Sequence, residues 1–475
     1  MKKAAVKVAG FAVGLSVLLF CVSRFLMFKD YDGIYSVTKF YELEENTVDV
    51  LVLGSSHAYT DINTGVLWRE HGIASYVLAA SAQPMWNSYY YLKEALKTQT
   101  PKLIVLEGYR LVEEREYMKS DSIVIKNTYG LRWSQNRVEA IKASVPAERQ
   151  MEFLLGYTQY HNRYAWLTEE DFLIWPERYQ DWKGVTLGMG REPYEAPELG
   201  ACTGYTNLTD KTEMYYRAII ELAQENQIPI LIIVNPYADV TGYDQEKYNT
   251  ARKIAEEYRV PFVNYTMMTD ELKLDYATDM ADESHLNYKG SYKLSVELGK
   301  YISEHYNIPD HRDDSAYGSW ERDAAYLYAL MEDAQLRELN DTDQISKLIS
   351  RENYDIFISI DKAYLTGEKE ADAILKALEI NDADYGGMWY IAGGRDIVWS
   401  SGSGEASQYF EAAWHDYGLK RVKNEEGEVD SMILIDNQDY SKVKNGMNVV
   451  IFDTVTGTVA DAFGISADNY YQLSR

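Results

Sequence analysis

The stretch Val48–Tyr59, VDVLVLGSSHAY, is an apolar run of strand character that breaks at Gly54 into two serines and a histidine. It opens a series. Val48–Leu53, Ser75–Leu78, Lys102–Leu106, Ile230–Val234 and Pro261–Tyr265 read as short strands, while Trp86–Thr98, Glu213–Asn226, Gln245–Tyr258 and Tyr288–Tyr306 read as helices. Alternation of this kind predicts an α/β fold, a parallel sheet with helices on both faces. In such sheets ligands gather at the carboxyl ends of the strands, and Gly54 to His57 stands at such an end.

Two segments break the pattern. Residues at about 111–210 carry much of the aromatic content, as in Tyr157–Trp166 and the Trp175–Trp182 region, and form either a wall over the strand ends or a helical subdomain with its own core. Pro309–Ser315 is a polar stretch, followed by two expected helices, Trp320–Leu339 and Thr342–Ser350. Beyond Tyr354 the strand-like runs YDIFISID, MWYIAG, DIVWSS, SMILID and NVVIFD surround one helical run, Glu370–Leu378, which predicts a separate α+β domain. The expected division is therefore 1–30, 31–308 with the insertion, a helical linker over 309–353, and 354–475.

Residues 1–30 have their own signature. Lys2, Lys3 and Lys7 precede an apolar run, Val8–Phe28, whose only charge is Arg24 near its end. About 20 apolar residues span a bilayer, and flanking cations stay on the cytoplasmic side. The run predicts an N-terminal transmembrane helix, with everything after Lys29 outside the cell membrane. No clear A-x-A-type cleavage site follows it, which favours an uncleaved anchor over a signal peptide. Gly10 and Gly14 form a G-x-x-x-G of the kind that packs membrane helices.

Composition excludes other classes. A net charge of -27 argues against a nucleic-acid partner, since phosphate binding needs clustered Lys and Arg. The 2 cysteines give neither a disulfide framework nor a thiolate metal site, no H-E-x-x-H spacing occurs, and no metal or cofactor is expected. The 41 tyrosines suit a carbohydrate-facing surface, though aromatic residues also fill cores.

A serine on a turn after a buried strand stays inert until a base takes its proton. His285, in DMADESHLNYKGS, follows the last strand and precedes the last helix, so the inferred topology returns it to the sheet edge that holds Ser56. Asp282, three residues earlier, is placed to bond the other imidazole nitrogen and fix the tautomer. His57 is a further candidate for lining the site, with a structural turn role as its alternative, and so are the insertion residues His161 and Arg163, with simple packing as theirs. His71, His305, His311 and His415 have no partner pattern and are expected at the surface.

Gly54-Ser55-Ser56 after the first strand, with Asp282-Glu283-Ser284-His285 before the last helix, resembles the SGNH/GDSL hydrolase superfamily. The GSS turn in place of GDS, behind a membrane anchor, makes the chain more similar to the branch with the teichoic-acid D-alanyl-transfer protein and alginate-type O-acetylation proteins. That resemblance implies a flavodoxin-like three-layer fold over roughly 45–306, with Ser56 as nucleophile, His285 as general base and Asp282 as its orienting acid. It also implies oxyanion donors from two later loops. Here these are Ala80-Ser81-Ala82-Gln83, where glycine is usual, and Glu107-Gly108-Tyr109-Arg110, where the usual Asn is missing. Ser81, with Tyr109 or Gln83 in place of the Asn, is the expected donor set.

The segment Ser431–Ala467, with Asn448–Asp453 and Val459–Asp461, is similar to the interleukin-like domain of secreted cytokine-like proteins, without that family's cysteines, and implies glycan or protein binding over 354–470. Two functions follow as expectations. One is a membrane-anchored, extracytoplasmic serine acyltransferase or esterase that modifies a cell-surface polysaccharide. The other is a catalytically weak glycan-binding or scaffold protein that partners a membrane-bound acyltransferase.

Overall fold

The computed structural model describes residues 2–175, 180–200, 202–361, 369–380, 386–412, 415–423, 429–444 and 446–475. Residues 176–179 of the aromatic Trp175–Trp182 region lie outside these, as do the side chains of Lys2, Lys3 and Arg24. The chain divides into two compact units, residues 1–324 and 325–475.

In the first unit, α1 (Lys2–Leu26) and α2 (Ser36–Phe40) precede β1 (Val50–Gly54). Next come α3 (Ser56–Asp61), α4 (Thr64–His71), β2 (Ser75–Ala79), α5 (Met85–Ala95) and β3 (Leu103–Glu107). The insertion holds α6 (Asp121–Thr128), α7 (Gln135–Ser144), α8 (Gln150–Leu155) and α9 (Tyr157–Tyr160). The alternation resumes with α10 (Asp210–Glu225), β4 (Ile230–Val234), α11 (Gly242–Glu257), β5 (Phe262–Asn264), α12 (Thr269–Leu272) and α13 (Tyr288–His305).

The five strands pair in the order β2-β1-β3-β4-β5, every pair parallel. This is a doubly wound order of the flavodoxin type. Strands β1 to β4 are buried along their whole length, which is why their sequences run apolar without alternation. The edge strand β5 is shorter than the expected Pro261–Tyr265, because the Asn264 side chain accepts from Thr266 N–H and turns the chain into a 3-10 turn. Helix α10 buries Tyr216, Ile219, Ile220 and Ala223, the i, i+3, i+4, i+7 stripe of a sheet-covering helix.

Within the insertion, Val124, Ile125, Ile141, Phe153 and Tyr160 bury together with Leu26 and Ile34 in a cluster separate from the sheet core. Helix α1 covers the apolar N-terminal run with 25 residues and exposes Val6, Val8, Phe11, Val13 and Val17. Among the described residues, which leave out the side chains of Ala5, Phe20, Ser23 and Arg24 within α1, no helix is long and apolar enough to cross a membrane. The start of the expected linker packs instead of dangling: Tyr317 and Trp320 are buried, and the Trp320 indole donates to the Ser75 carbonyl at 3.0 Å.

The division between the units falls within α14 (Gly318–Glu338), which α15 (Thr342–Leu348) follows. The second unit then runs β6 (Tyr354–Ile360), α16 (Lys369–Ala377), β7 (Gly387–Ala392), β8 (Asp396–Ser401), β9 (Ala406–Ala412) and β10 (His415–Lys423). After these come β11 (Val429–Ile435), β12 (Gln438–Asp439), β13 (Gly446–Asp453), β14 (Thr458–Ser466) and β15 (Leu473–Ser474). They build an antiparallel six-stranded sheet, β15-β14-β13-β6-β7-β8, and a four-stranded sheet, β12-β11-β10-β9. Strand β6 shows the two-residue period: Ile356, Ile358 and Ile360 pack with α15 and α16, while Phe357 joins Tyr417, Leu419 and Ile433 from the smaller sheet. Strands β9 and β10 are additions to the sequence expectation, hidden there by polar positions in SQYFEA and GLKRVK.

Candidate active site

Strand β1 ends where Ser55 caps α3 in an extended conformation, which puts Ser56 on the first turn of that helix. Gly54 is needed for close approach: a Cβ there would lie 2.8 Å from the Cβ atoms of Ala58 and Glu107. The loop before α13 brings the other two groups. His285 Nε2 lies 2.8 Å from Ser56 Oγ, and its Nδ1 lies 2.9 and 3.0 Å from the two Asp282 oxygens. A carboxylate can only accept, so Nδ1 carries the hydrogen and Nε2 offers its lone pair to the Ser56 hydroxyl. Burial raises the Asp282 pKa, but the His285 bond and the N–H groups of Ser284 and His285 outweigh it and hold the carboxyl below its usual range.

The loop is pinned from several sides. The Asn287 side chain donates to the Thr278 and Met280 carbonyls while accepting from Lys289 and Gly290, which starts α13. Leu286 N–H donates to Asp61 Oδ1 at 3.0 Å, joining the base loop directly to the nucleophile helix. The returning end of the insertion straps both halves, since Thr186 N–H donates to the Tyr59 carbonyl, Tyr288 N–H to Gly188 and Glu192 N–H to Met280.

Beneath Ser56 lies a fully buried polar layer that the sequence reading passed over, apart from His57. The Asn235 side chain, at the end of β4, donates to the His57 carbonyl at 2.9 Å. The His57 ring stacks on Tyr109 with centroids 3.6 Å apart and lies 5.0 Å from the His285 ring. Burial, and then the charges of His285 and Arg110, push the His57 pKa well below its ordinary value, while burial pushes Asp61 well above its own. His57 Nδ1 approaches Asp61 Oδ2 at 3.7 Å. Burial also raises Glu107, at the end of β3, to about 8, although it accepts Tyr109 N–H at 2.7 Å. A polar residue directly after an apolar strand (Glu107, Asn235) was the available signal.

The other expected residues sit differently. Ser81 N–H and the Ser81 hydroxyl both donate to Asp32, which also pairs with Lys126 at 2.9 Å. The N–H expected as an oxyanion donor is therefore already engaged by a carboxylate from the segment after α1. Ala82 takes the left-handed conformation, φ 48°, at a position where glycine is usual. Gln83 is buried and donates its amide to Ser88 at 3.0 Å. Arg163 does not line the site by its hydrogen bonds: it donates to the Leu26 and Met27 carbonyls and to Asp171. His161 stands exposed in the same segment. Of the histidines expected at the surface, only His305 is fully so; His311 approaches Asp49 at 2.9 Å and His415 approaches Asp436 at 2.7 Å.

A cavity of about 260 Å³ opens between the loop after β2, at Ala82 and Pro84, and the stretch after β3, at Arg110 and Arg115. Among the described residues, no group of three or more His, Cys, Asp or Glu side chains is placed to hold a metal ion.

No protein-family model and no curated protein matches the chain. Solved structures do. A protein assigned as an acylhydrolase from Bacteroides fragilis aligns with 56% of this chain and 94% of its own, at 12% identity and TM-score 0.30. A GDSL-like lipase from Bacteroides thetaiotaomicron aligns over 57% and 96%, at 12% identity and TM-score 0.30. A protein assigned to the lipolytic G-D-S-L family, from Desulfitobacterium hafniense, aligns over 54% and 99%, at 13% identity and TM-score 0.29.

Proposed function

We propose that this chain is a serine esterase or O-acyltransferase of SGNH/GDSL type working through an acyl-Ser56 intermediate. The observation that carries the reading is the continuous path from Ser56 Oγ through His285 to Asp282, with links of 2.8 and 2.9 Å. Ser56 Oγ attacks the ester carbonyl as its proton passes to His285 Nε2. The imidazolium, held by Asp282, then gives that proton to the departing alcohol oxygen, leaving the acyl group on Ser56. In the second half His285 takes a proton from water, for hydrolysis, or from an acceptor hydroxyl, for transfer. The incoming oxygen then displaces Ser56, which recovers its proton.

The finer reading is an enzyme held at the outer face of a cell membrane by α1, acting on a cell-surface polysaccharide beside a membrane-bound acyl donor, with the second unit binding glycan or protein. It is supported by the apolar Val8–Phe28 run and the tyrosine-rich composition. Ser56→Ala is expected to abolish hydrolysis of a small aryl acetate, with thermal unfolding unchanged; retained turnover would sink the assignment.

One observation favours the second reading, a weak catalyst that binds glycans or scaffolds a membrane acyltransferase: Ser81 gives both its N–H and its hydroxyl to Asp32, and Gln83 gives an amide hydrogen to Ser88. A fluorophosphonate probe separates the two, because it labels Ser56 only where His285 activates it.

A further inference from the structure

The end of α1 is tied into the insertion by polar and apolar contacts together. Arg163 donates to the Leu26 and Met27 carbonyls at 3.1 and 2.7 Å, and Lys29 donates to the Asp171 and Leu173 carbonyls at 2.5 and 2.6 Å. Phe25 and Phe172 place their ring centroids 5.6 Å apart, and Leu26 is buried in the cluster that holds Phe153 and Tyr160. The point where the chain leaves α1 is thus fixed against residues 150–174.

That same segment turns large apolar side chains outward. Tyr164 is 73% exposed, Trp166 70%, Phe172 65% and Ile174 70%, and on the neighbouring α8 Met151 and Leu155 are 59% and 63% exposed while Phe153 faces inward. Single exposed hydrophobes are ordinary, but a group of this size marks a contact surface. Its composition names the occupant. Trp and Tyr with aliphatic neighbours, gathered at one end of an apolar helix, are what the headgroup level of a bilayer selects.

We infer that residues 150–174 form a collar seated in the phospholipid interface where α1 emerges; this rests on the reading of α1 as a membrane anchor. A lone helix leaves a domain free to swivel about its exit, whereas a helix clamped to a collar that enters the interface fixes one orientation of the sheet above the surface.

The test uses the full chain with Cys21 and Cys202, its two free cysteines, replaced by Ser. Trp166→Cys, Ile174→Cys and, as a control, Met267→Cys beyond β5 are each labelled with an environment-sensitive fluorophore and reconstituted in phosphatidylcholine–phosphatidylglycerol vesicles. Headgroup-proximal spin-labelled lipid is expected to quench both collar positions several-fold more than the control, with a blue shift. If the chain stays with the vesicles through an alkaline wash but the collar labels match the control, the collar is overturned and the anchor stands. If the wash strips the chain, the anchor reading fails and takes the collar with it. A collar blue shift that appears in lipid-free detergent and grows with protein concentration would assign the surface to a second copy of the chain and overturn the lipid assignment.

Discussion

Two serines sit at the carboxyl ends of adjacent strands, and their surroundings make them different chemical objects. Ser56, after β1, directs its hydroxyl to the lone pair of His285 Nε2 at 2.8 Å, a base that can accept the proton and pass it on. Ser81, after β2, gives both its hydroxyl and its N–H to Asp32, a carboxylate in an ion pair with Lys126. The partner of Ser56 comes from 229 residues away and that of Ser81 from 49. Position on the sheet makes a serine available, and the partner decides whether it reacts or holds a loop in place.

The largest way to break this contrast is to remove the base. His285→Ala is expected to lower kcat/KM for an aryl acetate by roughly a thousandfold or more, as for any group that moves the proton in each half-reaction. A loss below tenfold would mean that Ser56 is no more reactive than Ser81. Asp282→Asn ranks next, at roughly 100-fold or more, because the amide cannot hold the His285 tautomer that leaves Nε2 free. That loss should appear in kcat with KM little changed, since the Asp282 carboxylate acts through its bond to the imidazole. For Ser81→Ala the expectation is under about threefold in kcat/KM, with roughly 1 kcal/mol lost in denaturant unfolding from the broken hydroxyl bond to Asp32, the backbone N–H bond being kept. A 100-fold loss with stability intact would instead place Ser81 in the reaction.

How much of this could be read from the sequence follows from the range of each interaction. The runs VDVLVL and ILIIV declare buried parallel strands because both faces of such a strand are apolar. Once the alternation fixes the topology, residues after the first strand and before the last helix must share an edge, so Ser56, Asp282 and His285 could be named together. Asp32 could not be matched to Ser81, since no period or spacing links a post-helix segment to a loop after β2. Asp61 and Asn235 look like ordinary polar residues at element ends, and only the folded chain buries them and has them tie His57, Leu286 and α3 together. Strands β9 and β10 escaped notice because polar residues interrupt both, with Ser407, Gln408 and Glu411 exposed on β9 and Arg421 buried on β10.

The smallest effect concerns what lies beneath Ser56 and not beneath Ser81, the buried carboxyl of Glu107. Burial raises it to about 8 from the ordinary 4.5, so the folded protein keeps this proton at neutral pH while the unfolded chain loses it. Between those values the native state binds more protons than the unfolded state, and stability must fall as pH rises, flattening once the folded group also ionises near 8. One such group contributes a slope of at most about 1.4 kcal/mol per pH unit. Glu107→Gln keeps the shape and removes the titration, so its unfolding midpoint should decline less between pH 5 and pH 8 than that of the parent chain. Asp61, pushed upward by burial and also by the Glu107 charge, shifts less in the variant and so works in the same direction. Parallel declines would show Glu107 already ionised in the folded state, placing a negative charge directly under the Ser56 turn. Such a charge would oppose the oxyanion that the proposed attack by Ser56 would generate, so the outcome also bears on whether the two serines differ by chemistry or only by position.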